Sequence, residues 1–211
     1  MTNEIKNIFG KILYKTAELH NIKELVELAV KQKVYLRGAD LRGADLHTAN
    51  LYNANLTDAH LFGANLTDAT LCYANLHDAT LSNATLSNAN LYKANLRNAN
   101  LSKANLSKVD LSFANLSFAN LSNANLTGAN LTGAILHYAY LTCSYLINTN
   151  LRDSNLHGAN LFYTDLRGAN LHGVDLTKAN LHGTINSDKN IIKDIHRDLD
   201  KILDSIKVEI I

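Results

Sequence analysis

The chain has 211 residues, with 20 lysines and arginines against 19 aspartates and glutamates, so its formal net charge is +1. That balance argues against the clustered positive charge of a nucleic-acid groove and the excess negative charge of a DNA mimic. No run of about 18 apolar residues could span a bilayer, and proline is absent, as suits a fold that wants nearly every backbone N–H for a ladder.

The first 33 residues carry no repeat. Ile5 to Ile8 and Lys11 to Tyr14 lie either side of Gly10, a pattern that predicts a short hairpin. Asn21 with Glu24 three residues later reads as an N-cap and its capping-box partner. Ile22, Leu25, Val26 and Ala29 then make one face of a helix over residues 22–32.

From Leu36 to Leu181 every fifth residue is Leu, thirty positions without a slip of register. Two residues before each Leu stands a small residue, Ala at 23 of the thirty, and the residue between is mostly Asn or Asp. The unit is Ala-Asn-Leu-X-X, plain in the run ANLRNANLSKAN from Ala94 to Asn105. On a helix, leucines five apart would lie about 140° from one another and form no face. On a straight strand they would alternate between faces. They share one interior only if the chain turns a corner once per repeat. The second corner position is rich in Gly, Asn and Asp, as at Gly38, Asn53 and Asp58. Gly and Asn tolerate φ > 0 at the third position of a type II turn. Such coils stack into an all-β solenoid, each pairing its backbone with the next at about 4.8 Å. An open solenoid end exposes apolar side chains and unpaired backbone, so the helix over 22–32 should lie across the first coil as a cap.

On these residues the chain resembles the pentapeptide repeat proteins, whose motif is a small residue, Asp or Asn, Leu or Phe, and two variable residues. The resemblance covers residues 34–185 and implies a right-handed quadrilateral parallel β-helix with four repeats per coil. Thirty repeats then give about 7.5 coils, roughly 36 Å of rod at the inter-strand spacing. The leucine columns should stack directly. Ser144, Thr149, Ser154 and Thr164 replace the small Ala in later coils, and their hydroxyls should bond local backbone. Asn55, Asn75, Asn95 and Asn115 fall in one vertical column and could form an amide ladder. Tyr52, Cys72 and Tyr92 form a second column, expected to be packing.

The departures from the motif carry the functional signal. Ile135, Tyr140 and Tyr145 stand where Asn, Asp or Thr is usual, in three consecutive repeats. With His137, Tyr138, Cys143 and Ile147 they make an apolar, aromatic belt around one coil, a candidate association surface. The alternative is an aromatic ladder that pairs with itself. Phe118 should stack one coil below Tyr138. No catalytic constellation is expected: Cys72 and His77 sit on adjacent faces with a corner between them, and a nucleophile needs its base within hydrogen-bond reach. His137 and His157 should be vertical neighbours, yet nothing obvious completes a tetrahedral metal site. No cofactor is expected. Cys72 and Cys143 should lie too far apart along the rod for a disulfide. Free thiols and no basic-then-apolar leader favour a cytoplasmic protein.

Residues 186–211 leave the register, with Asn186 where the next Leu belongs. Ile192, Ile195, Leu199, Ile202 and Ile206 form a stripe at spacings of three and four. It fits a helical cap on the last coil, a dimer contact, or both. The resemblance tips the balance toward a homodimer, since related proteins often dimerise through their C-terminal ends. The leading expectation is a non-catalytic interaction scaffold that self-associates, with no nucleic acid and no membrane as partner. The alternative implied by the resemblance is a DNA mimic that binds or protects DNA gyrase or topoisomerase IV. The neutral coil and the lack of any inserted loop weigh against that alternative.

Overall fold

The structure, a computed structural model, describes residues 2–186. Strands β1 (Thr2–Lys6) and β2 (Ile12–His20) pair antiparallel, and helix α1 (Ile22–Lys31) follows. The hairpin stands where Gly10 suggests, but its first arm is Thr2–Lys6 and not Ile5 to Ile8, with Ile8 in the turn, and β2 runs on past Tyr14 to His20 and delivers the chain directly to the helix. Asn21 and Glu24 form the capping box, each side chain bonding the other's backbone N–H. Leu25, Val26 and Ala29 are buried in one continuous core with the first leucines of the solenoid. Asn50 N–H donates to Glu27 Oε1 at 2.7 Å and Lys23 Nζ to Thr48 Oγ1 at 2.7 Å, so α1 is also fastened at its polar edge. The hairpin holds the other side: Asn7 pairs with Ala39, and Asp40 N–H donates to the Lys6 carbonyl.

Beyond Val34 the chain has no strand longer than one residue among the described residues. Instead, single parallel bridges join each residue before Leu to the one twenty positions later, from Asp40 with His60 to Asp165 with Ile185. Twenty residues hold four repeats, so each coil has four corners. The repeat around Leu96 shows how its backbone N–H groups are used. Asn95 donates to the Ala74 carbonyl at 2.9 Å, one coil below, and Leu96 to the Asn115 carbonyl at 2.7 Å, one coil above. Arg97 donates to the Asn95 side-chain oxygen at 3.2 Å. Asn98 donates to the Ser117 carbonyl and Ala99 back to Leu96, both at 3.0 Å. The Asn of the motif is therefore a structural acceptor that completes the corner, an Asx turn.

The second corner residue has positive φ in all thirty repeats. Thr48, Lys93, Phe113, Tyr138 and Cys143 adopt it as well as the Gly, Asn and Asp residues that signal it in sequence. Cross-coil hydrogen bonds on both sides of the corner hold these unsuited residues there. Inside, the leucines from Leu36 to Leu166 are 0–1 % exposed. Each contributes about 1.5–3 kcal/mol by burial. The polar replacements behave differently from one another. Ser144 Oγ donates to Leu141 locally, while Thr149 and Thr164 donate to Leu126 and Leu141 in the coil below. Ser154 Oγ is buried without a protein partner. No helix among the described residues is long and apolar enough to cross a membrane. The stripe from Ile192 to Ile206 lies outside the described residues.

Candidate interaction surface

Because Asn or Asp before Leu supplies an oxygen to the corner, replacing it forfeits a hydrogen bond in the fold. Ile135, Tyr140 and Tyr145 lack an acceptor that could reach the N–H groups of His137, Thr142 and Ile147. Their own backbones remain in the ladder, bridged to the coils on either side. Their side chains stand outward and are 39 %, 53 % and 52 % exposed. Each belongs to a different face of the rod. Tyr138, at a corner, stacks on Phe118 with ring centroids 5.5 Å apart and planes 13° from parallel. Ile147 is half-buried. The five residues thus encircle three sides of one coil and do not gather into a single patch.

Charge sharpens the outline of this belt. From Leu111 to Leu151, two full coils, there is no Asp, Glu, Lys or Arg. The coil before it places Lys93, Arg97, Lys103 and Lys108 at its four corners. Arg97 lies over the Phe118 ring at 5.3 Å and Lys93 over Tyr92 at 5.1 Å, so two of these cations rest on aromatic faces. On the far side Arg152 pairs with Asp153, and Arg167 holds Asp165 through both nitrogens of its fork. That guanidinium, with the Arg167 N–H, keeps the buried Asp165 carboxyl below its ordinary pKa.

Aromatic side chains elsewhere pair at corners. Tyr52, Tyr73, Tyr92 and Phe113 climb one corner edge to face at 5.7, 5.7 and 5.9 Å. The partner above Tyr52 is Tyr73 and not Cys72, because the ladder alternates between the first and second corner positions. A ring at the second position leans over the second position of the next coil. Its consequence is visible at Gly158, where a Cβ would stand 2.4 Å from the Tyr138 ring, and at Gly133, where it would stand 2.7 Å from Phe113.

The residues weighed for chemistry stay apart. The Cys72 thiol faces the Asn90 carbonyl, and burial raises its pKa. His77 instead bonds the Arg97 carbonyl and Asp78. His137 and His157 are vertical neighbours with centroids 6.0 Å apart, and His157 Nδ1 contacts Thr177 Oγ1 at 2.6 Å. No group of three His, Cys, Asp or Glu among the described residues could hold a metal ion. A cavity of about 730 Å³ lies beside the end of α1 between Lys31, Lys33, Tyr35 and Tyr52, and its one carboxylate, Glu27, is bonded to the Asn50 N–H.

A family model described as pentapeptide repeats matches in eight copies, over residues 32–68, 74–112, 114–153 and 154–185. Among solved structures the chain is similar to HetL, a pentapeptide repeat protein involved in heterocyst differentiation regulation from the cyanobacterium Nostoc sp. strain PCC 7120. The identity is 36 % over 72 % of this chain and 74 % of that one, with a TM-score of 0.30. A pentapeptide repeat protein of the Arabidopsis thaliana thylakoid lumen is 31 % identical over 44 % of this chain and 64 % of its own, with a TM-score of 0.43. QnrB1, a plasmid-mediated fluoroquinolone resistance protein, is 19 % identical over 76 % of this chain and 83 % of its own, with a TM-score of 0.49. No curated protein matches at a significant level.

Proposed function

We propose, starting from the fact that the chain belongs to the pentapeptide repeat family, that it is a non-catalytic scaffold whose belt docks a protein partner. The observation that carries this reading is the pair of coils from Leu111 to Leu151, free of charged residues yet exposing Ile135, Tyr138, Tyr140 and Tyr145. Exposed apolar and aromatic surface without charge is what a protein contact desolvates at least cost. Ile135, Tyr140 and Tyr145 leave their corners without the side-chain oxygen that Asn or Asp supplies, and a partner seated on the belt would cover the apolar surface they expose instead.

Self-association is the second part of the proposal. It rests on the isoleucine stripe Ile192, Ile195, Leu199, Ile202 and Ile206 as a sequence pattern. Light scattering should give two chains for the protein and one for Ile195→Asp with Ile202→Asp. A single chain for the unaltered protein rejects the homodimer and leaves the belt proposal standing. For the belt, Tyr140→Ser with Tyr145→Ser should weaken partner capture by roughly tenfold or more with an unchanged melting temperature, and undiminished capture rejects it.

The gyrase reading draws no support from the charges. The nine Lys and Arg of residues 34–185 balance nine Asp, and several Asp are paired with neighbouring Arg. A DNA mimic needs rows of unpaired carboxylates.

A further inference from the structure

Among the described residues the most exposed large apolar side chain is Phe9, at 87 %, and it sits at the tip of the N-terminal hairpin. Ile8 and Ile12 beside it are 44 % and 45 % exposed. This tip is well built. Asn7 donates to the Lys11 carbonyl at 3.0 Å and accepts from Gly10 N–H at 2.9 Å. Its side-chain oxygen accepts from the N–H groups of both Phe9 and Lys11, at 3.0 and 2.9 Å. Gly10 supplies the positive φ that closes the turn. The hairpin is in turn bonded to the first coil through Lys6 and Asn7. An apolar pair that could have folded back is instead held outward on a rigid, hydrogen-bonded turn.

The charges around its base decide what it meets. Lys11 lies beside the tip and Lys6 at the end of β1, with Lys15 further down β2 opposite Glu4, the hairpin's one carboxylate before the turn, which bridges Lys6 and Lys15 at 2.8 Å each. The other hairpin carboxylate, Glu18, lies near the far end of β2, and Asp58 beside the tip is paired with Arg37 at 2.9 Å, so a surplus of positive charge remains toward the turn end of the hairpin. A second copy meeting this tip head-on would set lysine against lysine. An anionic lipid surface accepts both parts: aliphatic and aromatic side chains enter the headgroup boundary while the ammonium groups stay at the level of the phosphates. We propose that the Ile8–Phe9 tip is a membrane-interface contact for anionic lipid. It needs no spanning segment, so the expectation of no membrane partner, which came from the lack of a span, does not bear on it. It is also independent of the belt.

The full chain should co-sediment with vesicles of phosphatidylcholine mixed with phosphatidylglycerol, and poorly with phosphatidylcholine alone. Phe9→Ser should weaken that binding by roughly tenfold or more, with unchanged thermal melting because Phe9 packs against little. Salt should weaken it too. The chain has no tryptophan, so Phe9→Trp gives a single indole fluorophore whose emission should shift to the blue on mixed vesicles. The proposal is overturned if the chain stays in the supernatant, if Phe9→Ser binds as well as the unaltered protein, or if the indole emission of the Phe9→Trp variant stays put. Phe9-dependent pairing of chains without vesicle binding would also overturn it, by assigning the tip to a second copy.

Discussion

Tyr138 and Gly158 show how closely a single position is constrained in this rod. Both are second corner residues in one column, both have positive φ, and the lower ring occupies the space a Cβ would take in the upper one. Gly38 has the same backbone but nothing within 4 Å of its would-be Cβ. Gly38→Ala should therefore cost only the left-handed conformation, about 1 kcal/mol. Gly158→Ala should cost about 2–4 kcal/mol, the same conformational cost plus overpacking, and Tyr138→Ala in the same chain should recover the excess. Chemical denaturation of the three variants measures this, and equal losses for the two glycines would contradict it. The need for a turn residue at these positions can be read from the repeat. Which glycines lie over a ring cannot, because that depends on how the side chain one coil below leans.

At the scale of elements, the N-terminal hairpin and helix were partly legible. The capping pair Asn21 and Glu24 and the apolar face of α1 follow from local spacing, and the helix forms over Ile22–Lys31. The length of β2 does not follow from local pattern, because its later residues are held by the bulged pairing that brings His20 opposite Thr2. The hairpin also carries a testable charge arrangement. Hydrogen bonds from Lys15 and then Lys6 lower the Glu4 pKa from 4.5 to about 2. A depressed carboxylate stabilises the fold above its unfolded value and loses that contribution as pH falls through its folded one. The hairpin should thus hold near pH 5 and loosen as pH drops from about 4.5 toward 2. Glu4→Gln should remove this step, as followed by the amide signals of β1 and β2. An identical acid response in that variant would rule the arrangement out. The aromatic ladder Tyr52–Tyr73–Tyr92–Phe113 was legible only in part: columns follow from the coil, but the alternation between corner positions depends on which way each side chain leans.

The whole molecule is a stack of coils in which the interior is uniform and only the skin varies. The leucine spine and the bridges between residues twenty apart follow from period five once the chain is seen to turn at every repeat. The motif Asn looks like a surface choice and proves to be part of the backbone's own hydrogen bonding, whereas Ile135, Tyr140 and Tyr145 stand out by the apolar surface they expose in its place. The belt's residues could be picked out along the chain. Their winding around one coil follows from the repeat as well, but how far each side chain stays exposed, as Ile135, Tyr138, Tyr140 and Tyr145 do, depends on the packing of its neighbours. The most direct test places a photocrosslinking amino acid at position 140 or 145 in cells, with position 82, on the same side of the rod as 140 but outside the belt, as control. Adducts with a protein at 140 and 145 and none at 82 are the predicted result. No adduct at the belt, or the same adducts at all three positions, would contradict the account.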